Sequence, residues 1–387
     1  MNLRDSNIAI VHDWFLKNSF GGAEKVTFLI DEFLEKNYSK PDLFSLVSNI
    51  NKSDRKINTS LLESLPFAQN NVQSFLPILP FVIEQIDLSK YDLIISSSHA
   101  FSKGVITSPD QLHISYVHTP MRYAWDQMNV YLKQSKLSKL GFEFPIRYSL
   151  YKLRQWDFSS SQRVDYLISN SKYTAKRIKK YWGLESEVIN PPVDIKRFKY
   201  NKTRADFYLS VNRLVPNKRI DLLINAFNKL GLPLIIIGDG PEKSKLKKMA
   251  KSNISFLNKI SDLEVEEYMS RCRAFVYAGL EDFGIAPVEA MASGAPIIAY
   301  GSGGILDTVN CLTNYKKDTV PNGILFKKQT SEDIFDAISW FEEKRIWKKF
   351  NAELLNKYTE KFSHKNFISK FDSKINSAWN KFKKELL

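Results

Sequence analysis

The sequence predicts an α/β protein built from two doubly wound domains. Three observations carry that reading. Short β-branched runs alternate with amphipathic helical segments along the chain, the pattern of βαβ units on parallel sheets. The alternation breaks at Ile189-Asn190-Pro191-Pro192-Val193-Asp194, where two prolines force an extended connector, and then restarts. At 387 residues, each half is long enough to bury its own core. The domains therefore fall at 1–190 and 191–361, followed by a tail at 362–387.

In the first domain the pattern predicts strands at 8–12, 91–96, 112–118 and 166–169, with helices at 23–35, 148–162 and 171–181. The second domain has predicted strands at 207–211, 234–237, 254–257, 274–277 and 295–300. Its helices fall at 220–230, 242–251, 262–272 and 331–343. One more helix is legible from its punctuation, between the strands at 274–277 and 295–300. Pro287 suits a first helical turn, where a missing N–H costs nothing. Val288 through Ala292 are mostly good helix formers, and Gly294 supplies a left-handed cap. This places Glu289 in the first turn and Glu281 ahead of it, at a strand's C-terminal end. In the tail, Phe367, Phe371, Ile375, Trp379 and Phe382 recur at near four-residue spacing with lysines between them. That is an amphipathic helix. Packing on a domain surface is its first reading and membrane contact its second.

Composition narrows the class. A hydrophobic fraction of 43% and a charged fraction of 25% exclude wholesale disorder. No apolar run reaches the roughly 18–20 residues of a membrane span. The opening residues run straight into the strand at 8–11 with no signal-peptide pattern. Cys272 and Cys311 fit no metal or redox spacing. The expected location is cytoplasmic. A net charge of +14 suits a phosphorylated substrate, an anionic membrane face or nucleic acid, and equally a lysine-rich solvated surface. No Arg-rich motif or nucleic-acid fold signature accompanies it, so nucleic acid ranks last.

Ligands of parallel α/β sheets bind at the strands' C-terminal edge, and several residue groups sit there. Phe20-Gly21-Gly22-Ala23-Glu24 opens the first helix; adjacent glycines let backbone N–H groups approach a phosphate, though an ordinary turn looks the same. It matches neither the dinucleotide fingerprint nor a P-loop. Tyr116-Val117-His118-Thr119-Pro120 puts His118 at a strand end, where a lone histidine is either structural or ligand-facing. No other histidine offers metal-ligand spacing, so no metal is expected. Val211-Asn212-Arg213-Leu214-Val215-Pro216-Asn217-Lys218-Arg219 follows the second domain's first strand. Arg213 and Lys218 there can flank a diphosphate, each charge-assisted bond contributing about 1.5–3 kcal/mol. An exposed helix terminus adds only about 0.3–1 kcal/mol, so the side chains would dominate. Gly238-Asp239-Gly240-Pro241-Glu242 reads as a tight strand-to-helix turn. Glu289 fits a ligand contact and also a plain first-turn acid.

Taken in order, Gly21-Gly22, His118, Arg213 with Lys218, and Glu281-x7-Glu289 resemble the retaining family 4 glycosyltransferases of the GT-B fold. The resemblance covers essentially the whole chain. Its most specific part is Phe283-Gly284-Ile285-x-Pro287-x-Glu289-Ala290-x-Ala292-x-Gly294. It implies two Rossmann-like domains facing a cleft, the tail helix crossing back to the N-terminal one. A nucleotide-sugar donor would be held mainly by the C-terminal domain. By the same resemblance, Arg213 and Lys218 would neutralise the donor diphosphate and Glu289 would bind the ribose hydroxyls. Glu281 would contact the transferred sugar, with the backbone of Phe283, Gly284 and Ile285 supporting sugar and phosphate. Gly21 and Gly22 would cover the diphosphate, and His118 would sit beside sugar and acceptor. Asn258 departs from the family, where glycine is frequent in that turn, and this leaves the nucleobase contacts open. Ile10-Val11-His12-Asp13-Trp14, the 116–126 segment and Asn190-Pro191-Pro192-Val193-Asp194 are together similar to a subgroup containing mannosyltransferases of surface-polysaccharide assembly. That implies GDP-mannose as donor.

The expected function is transfer of a hexose, with retention, to a saccharide or lipid-linked saccharide acceptor in cell-surface polysaccharide synthesis. Negative charge grows on the diphosphate as the glycosidic bond breaks, and Arg213, Lys218 and helix termini would stabilise it without a metal or other cofactor. The segment 131–154, rich in Lys, Leu and aromatics, is the expected acceptor or membrane side, with peripheral contact at an anionic inner membrane face. Alternatives are a UDP-sugar donor, a nucleotide-sugar epimerase or phosphorylase on the same fold, and a non-catalytic saccharide-binding protein.

Overall fold

Seven parallel strands form the sheet of the first unit. The computed structural model describes residues 3–17, 20–50, 55–135, 138–258, 260–314 and 319–385. Within it the chain divides into two units, Met1–Asn190 with Phe367–Leu387, and Pro191–Asn366. The first contains β1 (Ile8–His12), α1 (Gly22–Asn37), β2 (Asp42–Ser45), β3 (Ile57–Thr59), α2 (Leu79–Glu84), β4 (Leu93–Ser98) and β5 (Leu112–Val117). It continues through α3 (Met128–Gln134), α4 (Glu143–Ser161), β6 (Tyr166–Ser169), α5 (Lys172–Trp182) and β7 (Glu187–Val188). Its strand order is β3-β2-β1-β4-β5-β6-β7, all parallel. Every residue of β1, β4 and β5 is buried, as a sheet covered on both faces requires. In β1 the period-two alternation sorts side chains between two cores. Ile8 and Ile10 enter one, Ala9 and Val11 the other.

The second unit repeats the scheme. It has β8 (Tyr208–Val211), α6 (Ile220–Leu230), β9 (Leu234–Ile237), α7 (Lys243–Met249), β10 (Ile254–Leu257), α8 (Asp262–Arg271) and β11 (Ala274–Tyr277). Then come α9 (Ile285–Ala292), β12 (Ile297–Tyr300), α10 (Ile305–Thr308), β13 (Gly323–Phe326), α11 (Ser331–Glu343) and α12 (Ala352–Tyr358). The order is β10-β9-β8-β11-β12-β13, again parallel throughout. Both sheets thus reverse direction once, between β1 and β4 and between β8 and β11. The two doubly wound, Rossmann-like α/β units are those the alternation predicts.

The last helix, α13 (His364–Glu385), carries the apolar stripe of the tail into the first unit. Phe367, Phe371, Ile375, Trp379 and Phe382 are all buried there against Ile8, Ile10 and Leu34. Full burial of each contributes about 1.5–3 kcal/mol. The stripe is core, so its membrane reading is set aside. The tail's last two residues, 386–387, lie outside the described residues.

The opposite face of the first sheet is pinned by a buried charge pair. Lys103 Nζ donates to Asp157 Oδ1 at 2.6 Å, and Asp157 Oδ2 accepts from Trp125 Nε1 at 2.7 Å and Trp182 Nε1 at 2.8 Å. Both charges are essentially inaccessible, so the surrounding donors are what make the burial tolerable. Asp157 rides on α4, which begins at Glu143 rather than at the expected 148. Pro145 lies in its first turn, where the helix needs no N–H from it. Among the described residues no helix is long and apolar enough to cross a membrane.

Candidate active site

The second unit's site lies where its strand order reverses. At that point the loops after β8 and β11 turn away on opposite sides of the sheet and leave room for a ligand. Lys218 ends a single 3-10 turn (Pro216–Lys218) in the loop after β8. Its Nζ donates to Glu281 Oε1 at 2.7 Å and to the Tyr277 hydroxyl at 3.2 Å. Tyr277 ends β11, and Glu281 follows it by four residues. The loops meet because position 279 has no side chain: a Cβ there would lie 3.3 Å from Lys218 Cα and 3.4 Å from Glu281 Oε1. Burial alone would lower the Lys218 pKa. Tyr277 and Glu281 outweigh it and hold the ammonium above its ordinary range, so the lysine is charged. Arg213 leaves the same loop, exposed; among the described residues no hydrogen bond or ion pair occupies its side chain.

The β11–α9 connection supplies the rest. Gly284 caps α9 at φ +90°, a conformation few side chains tolerate, and supplies no side chain to cap the first helical N–H groups. The side chain of Phe283 packs into the core with its ring 5.5 Å from that of Phe362, so this residue offers a ligand its backbone only. Ile285 opens the helix and Pro287 falls in the first turn. Gly294 follows it at φ +76°, in the left-handed region. Glu289 sits one turn deeper than the first turn expected from sequence, because the helix begins at Ile285. It is half-buried, and its charge acts on the nearby Arg197 guanidinium.

The first unit's site occupies the matching reversal, between β1 and β4. Gly21 caps α1 and its N–H donates to Glu24 Oε2 at 2.7 Å. Neither Gly21 nor Gly22 has positive φ. Glu24 is itself buried, with Oε1 3.9 Å from His12 Nε2. Burial would raise its pKa, but His12 overrides that and holds the carboxyl low. His12 Nδ1 pairs with the Ser97 carbonyl at 2.8 Å. Ser97 Oγ lies 2.9 Å from His118 Nε2 and accepts from Thr27 Oγ1 at 2.7 Å. His118 follows β5 directly. Its N–H donates to the Ser98 carbonyl at 2.7 Å, and its own carbonyl accepts from Asn170 at 2.8 Å. Burial pushes its pKa down to about 3, with His12 and His99 adding to the shift, so the ring is neutral. Beside it, Asp13 accepts backbone N–H bonds from His99 (2.7 Å), Ala100 (3.2 Å), Phe101 and Ser102 (2.9 Å). Burial works against this carboxylate. His99, His12 and the amides still hold its pKa below the usual value.

The structure therefore gathers Lys218 and Glu281 with Tyr277 in one unit, and Gly21, Gly22 and His118 with His12, Glu24 and Ser97 in the other. Tyr277, Ser97 and His99 carry no role in the sequence reading, and His12, Asp13 and Glu24 enter it only within motifs. One signal points to the histidines of the first unit. Three of the five histidines follow or end strands whose C-terminal ends share one sheet edge. Among the described residues no three His, Cys, Asp or Glu side chains are arranged to hold a metal ion.

Two parallel doubly wound sheets, each with polar loops at its reversal point, define a two-unit Rossmann-like α/β protein. Comparison with known proteins narrows this. Residues 20–197 match the model of Glycosyltransferase Family 4 and residues 193–362 that of Glycosyl transferases group 1. The chain is a family 4 glycosyltransferase of the GT-B fold, related to GDP-mannose-dependent mannosyltransferases. It is 27% identical over 275 residues to an uncharacterised glycosyltransferase of Methanocaldococcus jannaschii, covering 70% of this chain and 71% of that one. It is 30% identical over 182 residues to a GDP-mannose-dependent phosphatidylinositol monomannoside mannosyltransferase of Corynebacterium glutamicum. That match spans 39% of this chain and 48%, about half, of the relative. An Anabaena protein crystallised with UDP and glucose shares the fold at TM-score 0.65 and 15% identity, covering 96% of this chain and all of that one.

Proposed function

We propose that this glycosyltransferase moves mannose from GDP-mannose, with retention of configuration, onto a saccharide or lipid-linked saccharide in cell-surface polysaccharide synthesis. The observation that carries the reading is the charged Lys218, held by Glu281 and Tyr277 at the reversal of the second sheet, with Arg213 exposed on the same loop. Two cations there suit a leaving diphosphate, whose negative charge grows as the glycosidic bond breaks. The N–H groups opening α9 add to that stabilisation. Glu281 accepts from Lys218 at 2.7 Å, which favours a hydroxyl-binding and lysine-orienting role over proton transfer. A two-carboxyl glycosidase mechanism would need its partner acid about 5–5.5 Å away. Glu289 is assigned to the ribose, and Gly21, Gly22 and His118 to donor and acceptor contacts. A neutral His118 suits a hydrogen bond to a sugar better than it suits an acid. The departing phosphate oxygen then takes the acceptor's proton on the same face. No metal or other cofactor is part of this proposal, and the place of action is the cytoplasm, in peripheral contact with an anionic membrane.

Mannose as the sugar is supported by relatives such as the Corynebacterium enzyme and an O-antigen chain mannosyltransferase of Salmonella typhimurium, 28% identical over 185 residues. A UDP-sugar is the second reading, because the Anabaena protein binds UDP on the same fold. A thermal-shift panel of GDP-, UDP- and ADP-sugars decides, since stabilisation follows affinity for the folded state. GDP-mannose is expected to give the largest shift. A response to UDP-sugars alone would end the mannose assignment, and a labelled free sugar or sugar phosphate as product would end transfer.

A further inference from the structure

Helix α4 carries two stripes. Its inner one, Leu150, Leu153 and Asp157, is buried against the first sheet. Its outer one is Phe144, Tyr148, Tyr151 and Phe158, spaced four, three and seven apart and therefore on one face. All four are exposed, Phe144 at 80% and Tyr148 at 54%. The apolar surface does not stop at the helix. A groove of about 410 Å³ runs beside it, lined by Pro77, Pro80, Tyr148, Lys152, Leu153 and Trp156. In the segment that supplies Pro77 and Pro80, Phe81 is 65% exposed and Ile78 is exposed as well. Lone apolar residues on a surface need no explanation, but a continuous patch from two segments marks something that covers it. The contrast with α13 is direct, for its aromatic stripe is buried.

Charge selects the occupant. Lys152 Nζ lies 5.7 and 6.0 Å from the rings of Tyr148 and Tyr151, which sets an ammonium within the aromatic stripe. The carboxylates beside the patch are already taken. Glu143 pairs with Arg147 at 2.7 Å, and Glu84 accepts from Arg163 at 2.7 Å and Trp156 Nε1 at 2.9 Å. The charge left over is positive. A second copy docked face to face would oppose one Lys152 to another, whereas lipid phosphates would complement it. Tyrosine suits that boundary, with its ring in the apolar layer and its hydroxyl among headgroups.

We infer that the α2–α4 face, centred on Phe144, Tyr148, Tyr151 and Lys152, is a docking surface for an anionic lipid bilayer. It gives residues to the membrane contact proposed above and is independent of the donor. Within the expected segment 131–154, residues 136 and 137 lie outside the described residues and play no part.

The test is co-sedimentation of the full chain with phosphatidylcholine vesicles, with and without phosphatidylglycerol, at low and high salt. Binding only to the phosphatidylglycerol vesicles, weakened by salt, is expected. The triple variant Phe144→Ser/Tyr148→Ser/Tyr151→Ser should abolish it, and Lys152→Glu should weaken it about tenfold or more. A GDP thermal shift equal to wild type in each variant certifies the fold and the donor site. Vesicle binding that ignores lipid charge, or survives the triple variant, overturns the inference. So does a dimer in sedimentation velocity that the triple variant dissolves, which would make the face a contact between copies. Loss of the GDP response in the wild type would count against the donor reading alone.

Discussion

The two sheets reverse at the same place in their strand order, yet the chemistry there is opposite in kind. In the first unit the polar groups at the reversal are sealed. Asp13 is buried under backbone N–H donors, His118 is held neutral, and Glu24 is buried beside His12. In the second unit they are half open: Lys218 and Glu281 each keep about a fifth of their side-chain surface exposed, and Arg213 is exposed. Topology therefore fixes where a ligand can bind, and burial decides what the groups there are for. Sealed carboxylates such as Asp13 and Glu24 hold loops and caps in shape, which leaves the neutral His118 ring for the sugar contact proposed above. Half-open charges are available for a partner that arrives and leaves.

The largest test of that contrast is Asp13→Ala. It strips the acceptor from several buried amides between His99 and Ser102 and should cost about 3–5 kcal/mol in urea unfolding. Glu281→Gln, in the half-open pair, should change stability by less than about 1 kcal/mol. Equal losses at the two positions would erase the distinction.

Acid should find the same difference. His113 and His118, both in the first unit, have pKa values pushed by burial from 6.5 to about 3. Each imidazole is neutral when folded, while the unfolded chain protonates it near 6.5. Their contribution is therefore whole above about pH 6.5 and is lost as pH falls toward 3. Each histidine removes up to about 1.4 kcal/mol for every pH step of one across that window. Lys218 is shifted upward and is charged throughout this window. Urea midpoints from pH 7 to 4 should fall more steeply in wild type than in His113→Gln. Parallel slopes would show that the buried histidines do not set the acid limit.

Next comes the half-open pair itself. Lys218→Ala should reduce kcat/KM at least tenfold, about 1.4 kcal/mol, with stability nearly unchanged. Glu281→Gln should lower turnover without adding an acid or base limb to the pH–rate profile. A new limb would restore the proton-transfer role that the salt bridge argues against.

What the sequence shows, and what it hides, follows the same division. β1, β6, α6, β9, β10, β11 and α11 are read to the residue because apolar runs and caps such as Gly231 delimit them. β2 and β3 escape because polar residues leave them only one or two apolar positions, and β13 because it opens on a glycine just after Pro321 and Asn322, which reads as a turn. Of the second site, Arg213, Lys218, Glu281 and the Gly284 turn are visible because charged residues and glycines in loops stand out. Tyr277 is not, since as the last residue of a buried strand it looks like core. The Asp13 contacts are hidden for a stronger reason: they join residues 86 or more apart in sequence, and no local pattern encodes them. The Glu24 bond to the Gly21 N–H is local, but the glycine at the cap gives no Ser or Thr to announce it.

Arg213 gives the smallest and most pointed test. It is the open extreme of the comparison, an exposed cation with no hydrogen bond or ion pair to another described residue that substitution could break. Arg213→Lys keeps the charge but gives up the planar fork that matches two phosphate oxygens at once. The expected result is a loss of nucleotide affinity of about 0.5–1.5 kcal/mol, read by titration calorimetry. Stability should stay within about 0.5 kcal/mol of wild type. Unchanged affinity would mean that Lys218 alone meets the diphosphate and that Arg213 belongs to the solvated basic surface. A loss of stability would mean instead that the second site, like the first, uses its charge to hold its own loop.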